Sequence, residues 1–232
     1  MVNVVTPKVT LIASTSVEYE YDPLSIAGDL GVGFDTQDAD DLAEFAGRAC
    51  YQAFHRPNPA TARNEDYLAN ILRQGHESVL EHASATFYIE GVSRALTHEL
   101  IRHRHLSYSQ LSQRFVNEGD SSVVYPPAVQ GDPEAERVLR NVDQYTKEAY
   151  ELLVKHLQQT KGYPRKQARE AARAALPNMT ETKIVVTGNH RAWRDVLKKR
   201  NTDAADAEIR EVSQMILDEL VKIAPACYQD LV

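Results

Sequence analysis

Cysteine is scarce in this sequence, and its two positions do not suggest a metal site. Cys50 and Cys227 form neither a CxxC pair nor any other spacing typical of metal ligands. This usage is typical of a reducing compartment, so we expect a cytoplasmic protein. We interpret Cys50 as a small buried hydrophobic residue rather than as a nucleophile.

Long apolar runs and an excess of positive charge are also missing. No run approaches the roughly 20 apolar residues that cross a bilayer, and residues 1–10 lack the basic and apolar regions of a signal peptide. The formal net charge is −7, whereas surfaces that bind nucleic acids or membranes are usually basic. We therefore expect no nucleic-acid partner and no membrane partner.

Several common phosphate-binding and metal-binding motifs are absent. The chain has no GxGxxG or P-loop glycine pattern, no GxSxG elbow and no HExxH. Five histidines lie within thirty residues, but no carboxylate or cysteine completes a recognised ligand set with them: His76, His82, His98, His103 and His105. We expect no bound metal, and histidines that pack in the core or hydrogen-bond a cofactor ring. A metal-dependent hydrolase is the alternative.

What is present is a dense cationic segment over residues 102–114, here called the arginine-rich segment. Its thirteen positions hold three arginines, two histidines and three serines without a carboxylate, and Glu99 and Glu118 only flank it. Guanidinium groups bind phosphate through paired hydrogen bonds, and serine hydroxyls add donors. The segment therefore predicts a pocket for a small phosphate-bearing molecule. Two alternatives are a solvated face with weak ion pairs and a nucleophile, Ser107 or Ser112, activated by a histidine.

Two further cationic clusters follow along the chain. Arg165, Arg169 and Arg173 recur in steps of four on one face of an alanine-rich helix, where Glu170 and Glu181 are candidate ion-pair partners. The other cluster surrounds the only tryptophan, Trp193, and consists of Arg191, Arg194, Lys198, Lys199 and Arg200. We interpret the three clusters as one composite anion site that is shared between subunits.

Apolar periodicity predicts a single α+β domain over residues 1–232. Runs of β-branched and aromatic residues predict strands over residues 9–13, 83–89 and 183–187, and residues 123–127 are extended. A helical period predicts helices over residues 41–51, 65–74, 92–104, 134–159, 166–176, 192–199 and 204–224. Asn64 is the expected cap of the second helix and Gly75 its stop, while residues 22–40 form a loop. Helices outnumber the scattered strands, which favours a central mixed β-sheet surrounded by helices.

The helix over residues 134–159 has an apolar stripe of unusual length. Its members are Val138, Val142, Tyr145, Ala149, Leu152 and His156. Such a stripe packs in the core of the same chain or forms a contact between subunits.

The arginine-rich segment resembles the RHRxxSxxxxSxR signature of flavin-dependent thymidylate synthases. The six fixed positions are Arg102, His103, Arg104, Ser107, Ser112 and Arg114. Residues 75–82, 97–101, 165–177 and 187–193 are also similar to this family, and the resemblance runs from about residue 42 to residue 226. The chain closely resembles the actinobacterial members.

This resemblance implies an enzyme of de novo dTMP synthesis that methylates dUMP reductively. In the family, 5,10-methylenetetrahydrofolate supplies the carbon, reduced FAD supplies the hydride and NADPH recharges the flavin. Members of the family are homotetramers, and each active site is built from several subunits. FAD is bound there without a glycine-rich fold.

The resemblance also assigns roles to individual residues. It implies that Arg200 is catalytic, because a fixed cation beside N3 of the uracil favours the N3 anion and enriches C5 in electrons. The dUMP contacts carry over onto Glu99, Leu100, Ile101, Arg102, Gln110, Leu111, Ser112, Gln113, Arg114 and Arg173, the last from another subunit. The FAD contacts carry over onto Ser78, Arg102, His103, Arg104, Gln110, Asn189, His190, Arg191 and Asp195. His76 and Arg94 are candidates for the folate side.

Three positions depart from the family pattern. Phe115 stands where tyrosine is usual, and Asp195 stands where histidine or asparagine is common. An acid at residue 195 is expected to repel the flavin phosphates. Residues 202–205 lack a histidine that the family often has after the catalytic arginine. Neither cysteine lies in a motif of the classical, cysteine-dependent thymidylate synthases.

One rival reading belongs to another class of protein. The arginine clusters and the aromatic residues Tyr108, Phe115 and Tyr125 are also compatible with a non-catalytic binder of nucleotides or single-stranded nucleic acid. The acidic net charge and the spaced serines argue against it. A flavin spectrum in the purified protein discriminates between the two.

Overall fold

A computed structural model describes residues 2–17, 37–55 and 58–232 of the chain. Most of the loop predicted over residues 22–40 lies outside these ranges, and the residues from Asp38 onward already belong to the first described helix.

The described strands form one four-stranded sheet. They are β1 (Lys8–Ser14), β2 (Ser84–Ser93), β3 (Ser107–Gln110) and β4 (Glu181–Asn189), in the order β1-β2-β4-β3. Every neighbouring pair runs antiparallel. The α+β class is therefore confirmed, but the prediction of a mixed sheet was wrong. The predicted extended segment makes only isolated bridges, with Val123 parallel to Val4 and antiparallel to Thr180.

Helices follow both central strands directly and cover the sheet. The helices among the described residues are α1 (Asp38–Tyr51), α2 (Asn64–Gln74), α3 (Arg94–Leu100), α4 (Pro133–Gln159), α5 (Arg165–Ala172), α6 (His190–Arg200), α7 (Ala207–Ile223) and α8 (Pro225–Tyr228). Short 3₁₀ helices span Ala53–His55, Pro59–Thr61, Glu77–Glu81 and Arg173–Ala175. Ser93 and Asn189, the last residues of β2 and β4, cap α3 and α6 through their side chains. Each central strand thus passes into a helix that contributes to the site described below.

Local end signals were only partly correct. Gly75 ends α2 in a left-handed conformation with φ 71°, as expected. The N-cap of α2 is Arg63, not Asn64, whose buried side-chain amide donates instead to the Asp40 carbonyl and the Glu44 carboxylate. Tertiary contacts therefore outweigh the capping preference of asparagine at this position.

The core lies between the sheet and the helices packed on it. Phe87 of β2 and Trp193 of α6 meet edge to face with ring centroids 5.1 Å apart. The expected apolar face of α7 is buried at Ile209, Val212, Ile216 and Leu220. The buried side of α1 instead combines small residues such as Ala39 and Ala43 with charged ones, and Arg48 pairs there with Glu44.

The burial prediction for Cys50 was wrong, and core packing does not account for the stripe on α4. Cys50 is exposed at the end of α1, whereas Cys227 is buried, so the interpretation of Cys50 as a core residue was wrong. Of the stripe on α4, Val138, Val142 and Tyr145 are exposed, and so is Leu152 further along. The core formed by the described residues does not cover these four side chains.

Two glycines allow close approaches that shape the fold. Gly91, at the bulge in β2, has φ 67°, and a Cβ there would lie 2.0 Å from the carbonyl oxygen of Thr6. At Gly188 in β4, a Cβ would lie 2.1 Å from Cδ2 of Leu106. Since Leu106 belongs to the arginine-rich segment, Gly188 lets that segment lie directly on β4.

Candidate active site

The loop between α3 and β3 presents the first half of the arginine-rich segment, and Tyr108 holds it in place. The Tyr108 hydroxyl lies 2.7 Å from the carbonyl oxygen of Leu100 and 2.8 Å from that of His103. Burial raises the pKa of Tyr108 to about 12, so the hydroxyl keeps its proton and remains a donor. Helix α3 therefore stops at Leu100, and the predicted helix over residues 92–104 is shorter than expected.

His103 turns inward from this loop toward the end of α6. Arg200, the last residue of α6, donates from Nε to His103 Nε2 over 3.1 Å. Its Nη1 donates to the Glu99 carboxylate over 2.6 Å and its Nη2 to the Glu99 carbonyl over 3.3 Å. The guanidinium predicted to be catalytic is thus held on two sides, by side chains about one hundred positions earlier in the sequence.

Asp195 and Lys199, which lie one helical turn apart on α6, complete this arrangement. Lys199 Nζ lies 2.6 Å from Asp195, and His103 Nδ1 lies 3.5 Å from the same carboxylate. Burial acts to raise the pKa of Asp195, but the hydrogen bonds and charges of Lys199 and His103 outweigh it and lower that pKa. Burial, assisted by the charge of Arg200, lowers the pKa of His103. Near neutral pH the site therefore contains an ionised Asp195 and a neutral His103.

These groups line a cavity of about 300 Å³, here called the α6 cavity. Its lining residues are Arg102, His103, Arg104, His105, Asp195, Lys199 and Arg200. Asp195 is the acid in this lining, and Lys199 already pairs with it, so the net character of the cavity is cationic. These residues fit an anionic phosphate or diphosphate group.

A second cationic cavity, of about 530 Å³, lies beside the other half of the segment and is here called the α5 cavity. Its lining residues are Arg94, His98, Gln113, Glu170, Arg173, Ala174, Leu176, Pro177 and Asn178. Gln113 is buried, and its Nε2 has no hydrogen-bond partner among the described residues. Burial lowers the pKa of Arg94, and the buried acid Glu118 opposes that shift. A buried donor without an acceptor in a cationic cavity favours an anionic ligand.

Arg114 lies at the rim of this second cavity. Its Nη1 approaches the Glu170 carboxylate to 3.5 Å, and its guanidinium carbon lies 6.0 Å from the ring centre of Phe115. Both contacts are long and exposed, which leaves the guanidinium accessible to a ligand. Lys166 lies over the same ring at 4.9 Å, and Arg169 donates to the Phe115 carbonyl. The predicted pairing of α5 arginines with Glu170 is therefore replaced by the Arg114 contact.

The remaining dUMP candidates follow the chain along β3. Gln110 donates from Nε2 to the hydroxyls of Thr97, at 2.9 Å, and Thr182, at 3.2 Å. The Leu111 amide donates to the Lys183 carbonyl, and the Ser112 carbonyl accepts from the amides of Phe115 and Val116. Leu100 is buried in the core and Ile101 is exposed.

The remaining FAD candidates lie around the start of α6. Ser78 is exposed on the 3₁₀ helix Glu77–Glu81, and Arg191 pairs with Glu81 of that helix. Asn189 uses its side chain to cap α6 through the Ala192 amide. The His190 side chain is buried and hydrogen-bonds the Tyr228 hydroxyl over 2.8 Å, so it does not line the α6 cavity.

In the cationic cluster around Trp193, some residues form structural ion pairs and others line the α6 cavity. Arg194 is fully buried and pairs with Asp230 through two contacts of 2.7 Å. Lys198 pairs with Glu77. Only Lys199 and Arg200 of this cluster line the α6 cavity. The cluster is therefore not one anion site, because the buried Arg194 binds the C-terminal segment instead.

Sequence reasoning missed several residues that shape the site. Lys199 was grouped with its neighbours, although its position four residues after Asp195 is itself a signal for a helical ion pair. Thr97 and Thr182, which hold Gln110, carry no such local signal, because Thr97 lies on α3 and Thr182 on β4, and both contact Gln110 only once β3 has packed beside them.

Across residues 2–17, 37–55 and 58–232, no group of three or more His, Cys, Asp or Glu residues is placed to hold a metal ion. None of the helices in these ranges is long and apolar enough to cross a membrane.

Comparison with known proteins identifies relatives over most of the chain. The family model described as thymidylate synthase complementing protein matches residues 34–226. A protein of Mycobacterium phage D29 named probable flavin-dependent thymidylate synthase is 56% identical over 231 residues, which cover 97% of this chain and 96% of that protein. The flavin-dependent thymidylate synthase of Mycobacteroides abscessus is 55% identical over 195 residues, 82% of this chain and 78% of that protein. That of Mycobacterium marinum is 54% identical over 204 residues, 84% of this chain and 82% of that protein.

Proposed function

The chain belongs to the flavin-dependent thymidylate synthase family, and we propose that it converts dUMP to dTMP by reductive methylation. The carbon comes from 5,10-methylenetetrahydrofolate, and NADPH is the external reductant. One observation carries the proposal. The RHR residues of the signature share the α6 cavity with Arg200, which lies about one hundred positions later in the chain.

We assign the α6 cavity to part of FAD. Arg102, Arg104 and Lys199 give it positive charge suited to a diphosphate, and Lys199 offsets the acid at residue 195. The volume of about 300 Å³ is at the lower end of pockets for drug-sized ligands, so it holds only part of a dinucleotide. The rest would lie along Ser78, Asn189 and neighbouring surface. When bound and reduced, FAD supplies the hydride for the methylation.

Arg200 is the residue that we assign to activation of the pyrimidine. A guanidinium beside N3 stabilises the N3 anion, which raises the electron density at C5 where the new carbon attaches. Arginine keeps its charge throughout, so it stabilises the anion without donating its own proton. Glu99 and His103 hold the guanidinium in one orientation, which supports this role because a preorganised charge needs no rearrangement during reaction.

The dUMP phosphate is assigned to Ser112 and Arg114, with Arg173 from a neighbouring subunit. Arg114 is exposed and only weakly paired, and the Arg173 of each chain is exposed, so it is accessible to the site of a neighbouring subunit. Arg94, a candidate for the folate side, lines the α5 cavity, whereas His76 lies exposed before the 3₁₀ helix that carries Ser78. An anion in this cavity would satisfy the Gln113 amide.

Neither cysteine is placed to act as a nucleophile in this proposal. Burial, with the nearby acid Asp40, raises the pKa of the Cys227 thiol well above its ordinary value. Cys50 lies on α1 and lines neither the α5 cavity nor the α6 cavity. Ser107 and Ser112 likewise need no covalent role, because a direct transfer of carbon and hydride requires no adduct with the protein.

We propose a homotetramer with shared sites as the assembled form. The exposed apolar stripe on α4 supports assembly, since Val138, Val142, Tyr145 and Leu152 would otherwise remain in contact with water. Sedimentation velocity on the purified protein tests this, and a monomer at micromolar concentration would contradict it.

The function is tested by flavin content and by product formation. We expect the purified protein to be yellow and to form dTMP from dUMP with folate and NADPH present. We also expect it to rescue a thymidine-requiring strain that lacks its own synthase. A colourless protein that refuses added FAD and leaves dUMP unmethylated would contradict the proposal. Tight binding of single-stranded DNA, or stoichiometric zinc or manganese, would favour the two rival functions.

A further inference from the structure

We infer that Asp195 is a positioning residue for Arg200 and acts through the ring of His103. The inference rests on the proposed function, because that function makes Arg200 catalytic. It concerns an acid that the family pattern does not predict at this position, and whose expected effect was only to repel the flavin phosphates.

The hydrogen-bonding chemistry of the three side chains determines the tautomer of His103. A guanidinium carries only donors, so the contact from Arg200 Nε to His103 Nε2, at 3.1 Å, requires a lone pair on Nε2. In a neutral imidazole the single proton must then be on Nδ1. That nitrogen faces the Asp195 carboxylate at 3.5 Å, and an ionised carboxylate only accepts. Asp195 therefore favours the one tautomer of His103 that can hold Arg200.

Lys199 keeps Asp195 in the state that this arrangement needs. Its ammonium lies 2.6 Å from one carboxylate oxygen and 2.8 Å from the other. Asp195 is about half exposed and Lys199 more so, which means that the pair itself adds little to stability. The ion pair matters for orientation, because it holds the Asp195 carboxylate toward the buried ring of His103.

The result is a catalytic cation with two of its five N–H donors left for a ligand. His103 takes the Nε proton, and Glu99 takes one proton from each terminal nitrogen. Among the described residues the remaining proton on Nη1 and on Nη2 has no acceptor. Without the His103 contact, the Arg200 guanidinium could rotate about its side-chain bonds, and only Glu99 would still hold its terminal nitrogens.

The test compares Asp195→Ala with Asp195→Glu in the flavin-loaded enzyme. Alanine offers no acceptor to Nδ1, so it no longer selects a tautomer, whereas glutamate keeps a carboxylate. We expect Asp195→Ala to lower kcat about 10- to 100-fold, with KM for dUMP within about twofold and flavin binding at least as tight as in the wild type. The glutamate variant should recover most of the loss. Glu219→Gln, which removes an exposed carboxylate paired with Lys222 on α7, is the matched control and should change neither quantity.

A second readout does not depend on activity. In protein labelled with ¹⁵N-histidine, the ring nitrogen shifts of His103 distinguish the two tautomers, and the signal is assigned by its loss in His103→Gln. We expect the Nδ1–H form in the wild type and a mixture of forms in Asp195→Ala. An Nε2–H form in the wild type, or unchanged kcat in Asp195→Ala, would overturn the inference while leaving the function intact. A wild-type protein that neither binds flavin nor forms dTMP would overturn the proposed function instead.

Discussion

The hydroxyl of Tyr108 and the carbonyl oxygen of His103 lie 2.8 Å apart, and the same hydroxyl reaches the Leu100 carbonyl at 2.7 Å. One side chain thus closes the loop that carries Arg102, His103 and Arg104. This use of Tyr108 also removes it as a stacking platform for nucleic acid, because its phenol points into the protein.

Tyr108→Phe tests this closure. Two carbonyl oxygens lose their donor, so we expect the free energy of unfolding to fall by about 1 kcal/mol and the affinity for FAD to fall as the loop loosens. Urea unfolding and flavin titration measure the two effects. Tyr88→Phe is the control, because the Tyr88 hydroxyl on β2 has no hydrogen-bond partner within the described ranges. Equal effects of the two substitutions would contradict the role of Tyr108.

Arg114→Ala removes the guanidinium at the rim of the α5 cavity. Loss of a charged hydrogen bond to phosphate weakens binding by about 1.5–3 kcal/mol, so we expect the Kd for dUMP to rise about 10- to 100-fold. Isothermal titration with dUMP measures it. Arg137→Ala on α4, which breaks an exposed pair with Glu134, controls for loss of surface charge. An unchanged Kd in Arg114→Ala would remove this residue from the phosphate site.

Arg200→Lys keeps the charge but loses the planar fork. A lysine cannot contact Glu99 and His103 together, so its charge is no longer held in one place. We expect kcat to fall about 100-fold while the protein stays yellow. Arg210→Lys, at an exposed pair with Asp203, is the matched control. Full turnover with lysine at residue 200 would show that a fixed guanidinium is not required.

Lys199→Ala leaves Asp195 without its ion-pair partner beside the flavin phosphates. Repulsion should then weaken FAD binding about five- to tenfold at low salt, and less at high salt. In the double variant Lys199→Ala/Asp195→Asn the repelling charge is gone as well, so the affinity should return most of the way. Flavin fluorescence titration measures all three proteins. No recovery in the double variant would show that Lys199 contacts the flavin by itself.

His190 links stability to pH. Burial lowers the pKa of His190 from its ordinary value of 6.5 to about 4, so between these values the unfolded chain binds a proton that the folded chain does not. The contribution to stability is fully present above pH 6.5 and is lost as the pH falls toward 4, by about 3 kcal/mol. We expect urea unfolding to show a smaller loss over this range in His190→Gln than in the wild type. Parallel pH profiles for the two proteins would contradict the buried, neutral histidine.

The residue types that form the site could be predicted from the sequence. A run of arginines without acids has few explanations other than an anion site, and the fixed spacing from Arg102 to Arg114 does not depend on the rest of the fold. Helix α7 could be predicted in the same way, because its apolar positions recur with a helical period, and these positions are buried. Both signals are local, so periodicity and composition suffice to detect them.

Other features depended on partners far away in the chain. Asn64 is not the N-cap of α2, because its side-chain amide donates to Asp40 and Glu44 of α1 instead. Asp195 was expected to repel a flavin, yet it pairs with Lys199 and faces His103. The antiparallel pairing of β2 with β4 joins segments far apart in the chain, so no local pattern predicts its direction.

The sequence by itself determined which groups are available: guanidinium groups, serines and histidines in one short segment, and helices that bury one face. Only the tertiary structure decided what each cation does. Arg194 and Arg200 lie six positions apart on the same helix, yet Arg194 is buried against Asp230 and Arg200 lines the α6 cavity. The physical reason is that a charge acquires its function from its burial and its partners, and both are known only once distant segments have packed together.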